Sequence, residues 1–283
     1  DTTPDFRRVD RYRTTRPGTL FQRGEMGQAQ ETQITESVIQ YGVSEFARTF
    51  SITWRVLVND DLGAIDRVTG EMVDAALMFE DSFVSALYDN AVSQAAMVAL
   101  GAQYAGTGRI SEANLTVAVN AMRTRQDADG NPIMADGLWL IIPPEAEIAT
   151  QRVLETALTL GSPNNDKNVV RRYIRGYYVD PYIATAAPVM PWYMIADPSS
   201  RFNTVTVARL AGWGDTPKLW LRASDRLPLS PSGAAGGADA WGGSWTSKAI
   251  EIEVEDIIGG WDSPVWGGVT NFQGLYYSDG TVA

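Results

Sequence analysis

The sequence predicts a mixed α+β fold, and three stretches carry the prediction. Residues 50–58, FSITWRVLV, alternate, with Phe50, Ile52, Trp54, Val56 and Val58 on one face. A period of two marks a half-buried strand. The period then switches: Leu62, Ile65, Met72, Ala76, Phe79, Phe83 and Leu87 recur at spacings of three, four or seven. That pattern predicts one amphipathic helix over about 61–89, roughly 40 Å long at about 1.5 Å per residue. Late in the chain AIEIEVEDI, 249–257, alternates again, apolar against acidic. Strands and helices in this irregular order belong to the α+β class.

The elements follow in order. Residues 1–20 have little apolar periodicity and end at Pro17-Gly18, which reads as an extended arm. Residues 24–58 are rich in Thr, Ile, Val and aromatics, with Gly42 near the middle. Two strands about Gly42 predict a long hairpin that protrudes and is covered by a partner. Asn59, Asp60 and Asp61 stand where the long helix begins. An aspartate there accepts a backbone N–H and faces the positive end of the helix dipole, so Asp60 and Asp61 are read as its cap. The competing reading of the pair is an acid/base or metal site.

Residues 91–110 are small and apolar and end in GTG, with no element assigned. A second helix is expected over 112–125, with Leu115, Ala118, Val119 and Met122 on one face. RQDADGNPIMADG is a polar loop, LWLIIP a buried strand closed by Pro143-Pro144, and PPEAEIATQRVLETAL a helix with prolines and acid at its start. Residues 161–185, including RRYIRGYY, read as loop. VMPWYMIADP, TVTVARLAG and KLWLRAS read as strands, and PSGAAGGADAWGG (231–243) as a surface loop. No internal repeat is present.

Composition narrows the chemistry. The chain has 283 residues, 45% of them apolar and 20% charged, and no cysteine or histidine. That excludes disulfides, Cys or His metal sites, and Ser-His-Asp or Cys-His catalysis. Net charge is −11, which argues against nonspecific affinity for nucleic acid. Residues 1–23 hold six arginines (Arg7, Arg8, Arg11, Arg13, Arg16, Arg23) against three aspartates. A basic arm on an acidic body can dock on another copy of itself; the plainer alternative is a solvated tail. Only three of the basic residues are lysines, and arginine suits fixed interfacial pairs better.

Two acidic groups are candidates for chemistry. Asp127, Asp129 and Asn131 match the first positions of a calcium loop, but Pro132 stands where glycine is needed and Leu138 where a bidentate glutamate is needed. Glu251, Glu253 and Glu255 share one face of the late strand, beside Asp256. Crowded carboxylates can form an acid/base pair, as in a glycoside hydrolase, with some of the nine tryptophans lining a cleft. They equally suit a surface that receives arginines, and the interface reading is preferred. GAQYAGTGR lacks the lysine and spacing of a phosphate-binding loop. No cofactor or metal is expected, and no run of apolar residues is long enough for a membrane span.

The order of these stretches resembles one family. FARTFSITWRVLVNDDLGAIDRV is similar to the strand-then-NDDLGA passage at the base of the spine helix in tailed-bacteriophage major capsid proteins of the Hong Kong 97-like fold. AMRTRQDADGNPI followed by WLIIPPEAEIATQRVL resembles the next passage, PWYMIADPSS a later strand, and IEIEVEDIIGGWD with GLYYSDG the long peripheral strand and C-terminal segment. The resemblance implies an N-arm at 1–23 and an extended loop at 24–58. It implies a peripheral domain of 59–110, with the spine helix, and 201–260. An axial domain at 111–200 and a C-terminal segment at 261–283 complete it. It implies a non-enzymatic subunit that assembles into pentamers and hexamers of an icosahedral virion shell. The shell forms in the host cytoplasm, with portal, scaffold or cement partners, and encloses DNA without specific binding. A start at Asp1 fits a mature subunit trimmed at its N-terminus. Some relatives join neighbours through a lysine on the extended loop, but 24–58 contain none, so that crosslink is not expected. Arg7, Arg8, Arg11 and Arg13 are expected to meet acids of a neighbour such as Glu251 and Glu253, with Tyr41 and Phe46 packing on an adjacent copy. An encapsulin-like shell enclosing proteins shares the fold and is the alternative within the structural class.

Overall fold

The computed structural model describes residues 2–14, 22–23, 27, 31, 36–53, 64–126, 132–133, 135–156, 158, 167–183, 185, 189–197, 205–222, 249–262, 272 and 274–281. In chain order its elements are β1 (Thr2–Thr3), β2 (Val9–Thr14), β3 (Glu36–Tyr41), β4 (Val43–Thr53), α1 (Ala64–Tyr88), α2 (Ala91–Ala99), β5 (Ala105–Gly106) and α3 (Glu112–Arg123). They continue as β6 (Leu138–Ile142), α4 (Glu147–Glu155), β7 (Ile174–Val179), β8 (Trp192–Ala196), β9 (Val205–Leu210), β10 (Lys218–Arg222), β11 (Ala249–Asp262) and β12 (Leu275–Ser278). The chain divides into two compact units. One comprises Asp1–Arg7, Gly42–Phe83 and Val207–Gly259; the other comprises Arg8–Tyr41, Val84–Thr206 and Gly260–Ala283.

The first unit is built on β11. Its sheet runs β1-β9-β11-β10, with β4 also paired to β11. β4 lies antiparallel to β11 along its whole length, from Val43 opposite Gly259 to Thr53 opposite Ala249. β10 pairs antiparallel over Lys218–Glu255 to Arg222–Glu251. Ile252, Val254, Ile257 and Ile258 of β11 are buried, as expected for a strand flanked on both edges. The aromatic side chains of α1 pack on β4: Phe46 lies 4.8 Å from Phe79 and 6.0 Å from Phe83, ring centre to ring centre. The sequence places those apolar residues one or two turns apart, so they line one face of the helix.

The hairpin expected about Gly42 is corrected. β3 pairs with β2, Val9 opposite Tyr41 through Thr14 opposite Glu36, whereas β4 pairs with β11. A tight hairpin needs at least two loop residues, usually at positive φ. Here Gly42 alone separates the strands, and it is not among the positive-φ glycines. The chain therefore passes straight from one pairing to the next. A Cβ on Gly259 would collide with the Gly42 carbonyl, so glycine is required where β4 and β11 come closest. The first residues of the arm are likewise not loose: β1 adds to β9 in parallel, Thr3 opposite Leu210, and Ala211 N–H donates to the Thr3 carbonyl at 2.8 Å.

The second unit holds a mixed sheet in the order β5-β12-β8-β6-β7. Trp192, Met194 and Ala196 of β8 join Leu138, Leu140 and Ile142 of β6 in one core with Leu115, Val119 and Met122 of α3. Tyr193, between them in sequence, joins a second core with Tyr88, Met97, Phe272 and Tyr277. Successive strand residues point to opposite faces, so a strand buried on both sides reads as the unbroken apolar run of WYMIA. The helix expected over 112–125 is α3, and the PPEAEIATQRVL segment forms a 3-10 turn and α4.

Two segments differ from expectation. Residues 91–99, given no element, form α2: Asn90 caps it by accepting the Ser93 N–H at 2.8 Å, and the alanine-rich interior favours helix intrinsically. IRGYYV, within the stretch read as loop, is the edge strand β7, parallel to β6. Its basic and glycine content masks the signal. Gly176 is there because the Trp139 ring lies against its backbone, where a Cβ would clash.

Candidate assembly surface

The residues singled out from sequence fall into distinct environments. Arg7 and Arg8 are exposed. Arg7 pairs with Asp5 among the described residues, at 3.8 Å with its side chain 90% exposed, and its backbone N–H donates to Asp5 Oδ1 at 3.0 Å. Such exposed pairs contribute little. Arg11 and Arg13 lie on β2, opposite Ile39 and Ser37. Asp60, Asp61, Asp127, Asp129 and Asn131 lie outside the described residues, so the cap and the partial calcium motif go with them.

Tyr41 is corrected: it is only 6% exposed within its own chain and is not available to pack on another copy. Phe46 keeps an open edge, 36% exposed, while its ring sits on α1.

The acidic strand is not the open, wet face that alternation suggested. Glu251, Glu253 and Glu255 are half-buried. β10 sets Arg222 opposite Glu251, Trp220 opposite Glu253 and Lys218 opposite Glu255. Trp220 Nε1 donates to Glu255 Oε2 at 2.8 Å, and the Lys218 ammonium lies 3.9 Å from the centre of the Trp213 ring. Cross-strand opposite charges are mildly stabilising. Glu255 thus already meets an aromatic side chain of its own sheet, and Glu251 and Glu253 stand in register with a basic and an aromatic position.

A buried charge cluster on the first unit was missed by sequence reading. Arg209 of β9 places Nη1 3.2 Å from Asp256 Oδ1 and Nη2 3.0 Å from Glu80 Oε1, with side chains 15%, 3% and 17% exposed respectively. The Nη1 contact is a hydrogen bond. The Nη2 contact is an ion pair off the hydrogen-bonding line, so Glu80 Oε1 has a charge partner but no hydrogen bond. One guanidinium serves two carboxylates. Burial raises the pKa of Glu80 above its ordinary value of 4.5, outweighing the lowering pull of Arg209, and Asp256 pushes it the same way as burial. The only sequence signal was Asp256, breaking the alternation of a strand whose next residues are apolar.

Between β4 and α1 the first unit opens a groove of about 700 Å³, lined by Phe46, Phe50, Val68, Met72, Ala75 and Phe79, with Glu45, Arg48 and Glu71 among its polar members.

The second unit carries polar ties of a structural kind. Asp180, fully buried, accepts from Ser85 Oγ at 2.6 Å, from the Tyr88 hydroxyl, and from Tyr182 N–H at 2.9 Å. Burial, then the hydrogen bond to Asp180, pushes the Tyr88 phenol up. Arg125, also buried, donates to the carbonyls of Gln103 and Phe272 at 2.6 and 2.7 Å and lies over the Tyr104 ring. Burial lowers it to about 10, which leaves it charged at neutral pH. These groups join distant segments.

Among the described residues no group of three or more Asp, Glu, His or Cys side chains could hold a metal, and no helix is long and apolar enough to cross a membrane.

Comparison with known proteins agrees with this picture. No curated protein sequence matches the chain. A solved structure from Mycobacterium phage Adephagia is 10% identical, with a TM-score of 0.60 over 100% of this chain and 87% of that one. The capsid asymmetric unit of cyanophage Pam1 is 11% identical, with a TM-score of 0.56 over 96% and 84%. A structure described as the acid-stable capsid of Helicobacter pylori bacteriophage KHP30 is 9% identical, with a TM-score of 0.52 over 97% and 85%. The α+β, Hong Kong 97-like capsid fold is therefore shared along nearly the whole chain. The model of one family, described as phage capsid protein, matches residues 36–269, and the chain belongs to that family.

Proposed function

We propose that the chain is the major head subunit of a tailed bacteriophage, assembling into the pentamers and hexamers of an icosahedral shell around double-stranded DNA. The observation that carries this reading is the capsid-family match across residues 36–269. A shell subunit needs no catalytic centre, only surfaces that meet other copies, and each such interface is heterologous and repeats around closed rings. Many weak contacts suffice, because each copy is held by several neighbours at once.

Within the shell, 1–23 act as the arm and 24–58 as the extended loop. Residues 59–110 and 201–260 form the peripheral domain, 111–200 the axial domain and 261–283 the closing segment. Arg7, Arg8, Arg11 and Arg13 meet acidic surface of a neighbouring copy, Glu251 and Glu253 among it. The half-burial of those glutamates restricts the approach to their outward edge. The net charge of −11 supports enclosure of DNA without specific binding, since like charge opposes adhesion. Assembly takes place in the host cytoplasm, with portal, scaffold or cement proteins as the other partners, and the subunit has no enzymatic role.

The test is the mass of the native material, by sedimentation with electron microscopy of the fastest peak. Shells, or free rings of five or six, are the expected result. A stable monomer of 30.9 kDa under all salt and scaffold conditions would overturn the proposal. Replacing Arg11 and Arg13 together by Glu is expected to impair shells while leaving the subunit folded.

A further inference from the structure

Helix α4 of the second unit carries opposite charge at its two ends, and each end leaves an apolar side chain in water. At its start, Glu145 lies in the 3-10 turn Pro144–Ala146 and Glu147 in the first turn of the helix. Thr185 Oγ1 donates to Glu145 Oε1 at 3.3 Å, and neither carboxylate has an ionic partner among the described residues. Ile148, next in sequence, is 66% exposed. Ala146, Thr150 and Val153 take the buried side, so Ile148 and Arg152, four residues apart, share the outer face.

The far end is basic. Residues 167–179 hold four cations and no acid in a chain of net charge −11. Asn168 pins this stretch to the end of α4: its side-chain amide donates to the Val153 carbonyl at 2.6 Å and to that of Thr156 at 3.3 Å. Arg171 Nη1 donates to the Glu155 carbonyl at 3.4 Å. Arg175 is taken by Asp197, but Lys167, Arg171 and Arg172 are exposed with no ionic partner among the described residues. Arg152 adds to them and the exposed Glu155 subtracts, so the end stays basic. Val169, between Lys167 and Arg171, is 48% exposed. The helix dipole accounts for the sign of charge at each end; it does not account for an isoleucine and a valine left in water beside those charges.

We infer that the second unit binds the same unit of the next copy head to tail, Glu145, Glu147 and Ile148 of one copy meeting Lys167, Val169 and Arg171 of its neighbour. This rests on the capsid reading above and names one contact within its rings. The helix holds its two ends about 13 Å apart, nine residues at about 1.5 Å each, so they cannot meet within one copy. On two copies they match in charge and in apolar contact, and the interface they form is heterologous, the kind that closes rings. DNA would satisfy only the basic end and leave Glu145 and Glu147 unpaired, whereas a second copy satisfies both. Charge pairs of this kind set orientation and exclude wrong alignments more than they add affinity.

The experiment uses full-length protein. Glu145→Arg with Glu147→Arg makes both ends basic; Lys167→Glu with Arg171→Glu makes both acidic. Each variant alone should fold, checked by thermal melting of the free subunit, yet lose rings and shells about tenfold or more, because every contact then sets like charges together. Mixed in equal amounts the two should alternate, and alternation closes a ring of six but not of five. Native mass measurement should therefore show hexamers without pentamers. Folded variants that assemble like the unmodified protein, or that stay apart when mixed, would overturn the inference while leaving the capsid reading intact. A second test covers a charge variant that fails to fold. The chain has no cysteine, so particles built from equal parts Ile148→Cys and Val169→Cys should give disulfide-linked dimers on oxidation, and neither variant alone should. An absence of dimers in the mixture would overturn the contact, as would dimers from Ile148→Cys alone, which would mean twofold pairing. Loss of double-stranded DNA binding by the Lys167→Glu, Arg171→Glu variant with assembly unchanged would assign the basic end to DNA and overturn it too. Failure of the unmodified protein to form rings or shells would sink the capsid reading and this contact with it.

Discussion

Replacing Arg209 by Met removes the only cation from the cluster it forms with Glu80 and Asp256 while keeping most of the side-chain volume. The loss is not that of an average surface ion pair, worth about 0–1 kcal/mol. Asp256 is 3% exposed, so without Arg209 it becomes a buried carboxylate with no counter-charge, and Glu80, 17% exposed, repels it. Breaking a buried pair from one side costs about 3–5 kcal/mol. The cost is held toward the lower end if Glu80, its pKa already raised by burial, takes up a proton in the variant. Urea unfolding of dissociated subunits at neutral pH, followed by tryptophan fluorescence, should show a loss of about 3 kcal/mol or more. The triple variant Arg209→Met, Glu80→Gln, Asp256→Asn should recover part of it, because replacing every charged member is far less costly than orphaning two. A change within about 1 kcal/mol for Arg209→Met alone would refute the view that these charges are interdependent and effectively desolvated.

Two further outcomes follow from the first unit. Glu80 has a folded pKa above its unfolded value near 4.5, so folding favours the protonated form. Between those two values the folded state holds more proton, and stability falls as pH rises through the window and then levels off. Glu80→Gln removes that dependence: the variant's unfolding free energy minus that of the wild type should grow as pH rises from about 4.5, and a difference that is flat or shrinks with pH would contradict the assignment. At the closest approach of β4 and β11, Gly259→Val must push against the Gly42 carbonyl and should cost about 1–3 kcal/mol or more. Gly70→Ala, in α1 where an added Cβ meets nothing within 4 Å, should instead stabilise by about 0.5–1 kcal/mol. Equal melting shifts for the two would show that the strand crossing is not tightly packed.

Much of the architecture is legible in the chain itself. The alternation of FSITWRVLV falls on β4 as far as Thr53, and the three- and four-residue spacing from Ile65 to Leu87 falls on α1, with the switch itself outside the described residues, because a side chain's position along a strand or helix is set locally by backbone geometry. The lack of histidine and cysteine excludes whole classes of chemistry without any coordinates. The capsid resemblance lay in the order of such stretches. What sequence alone misplaced was pairing. The two strands beside Gly42 look like a hairpin because neighbours in sequence usually pair, yet one residue cannot close the turn, and each strand finds a partner far away, β2 for one and β11 for the other. Tyr41 looked like a loop-tip contact and is buried for the same reason. Glu251, Glu253 and Glu255 looked like an open acidic face, but β10 brings Lys218, Trp220 and Arg222 opposite them. The cluster of Arg209 with Glu80 and Asp256 joins three elements far apart in sequence. Periodicity reports which way a residue faces; which residue it meets there depends on long-range closure of the chain, whose contacts are paid for in loop entropy and decided only by the tertiary fold.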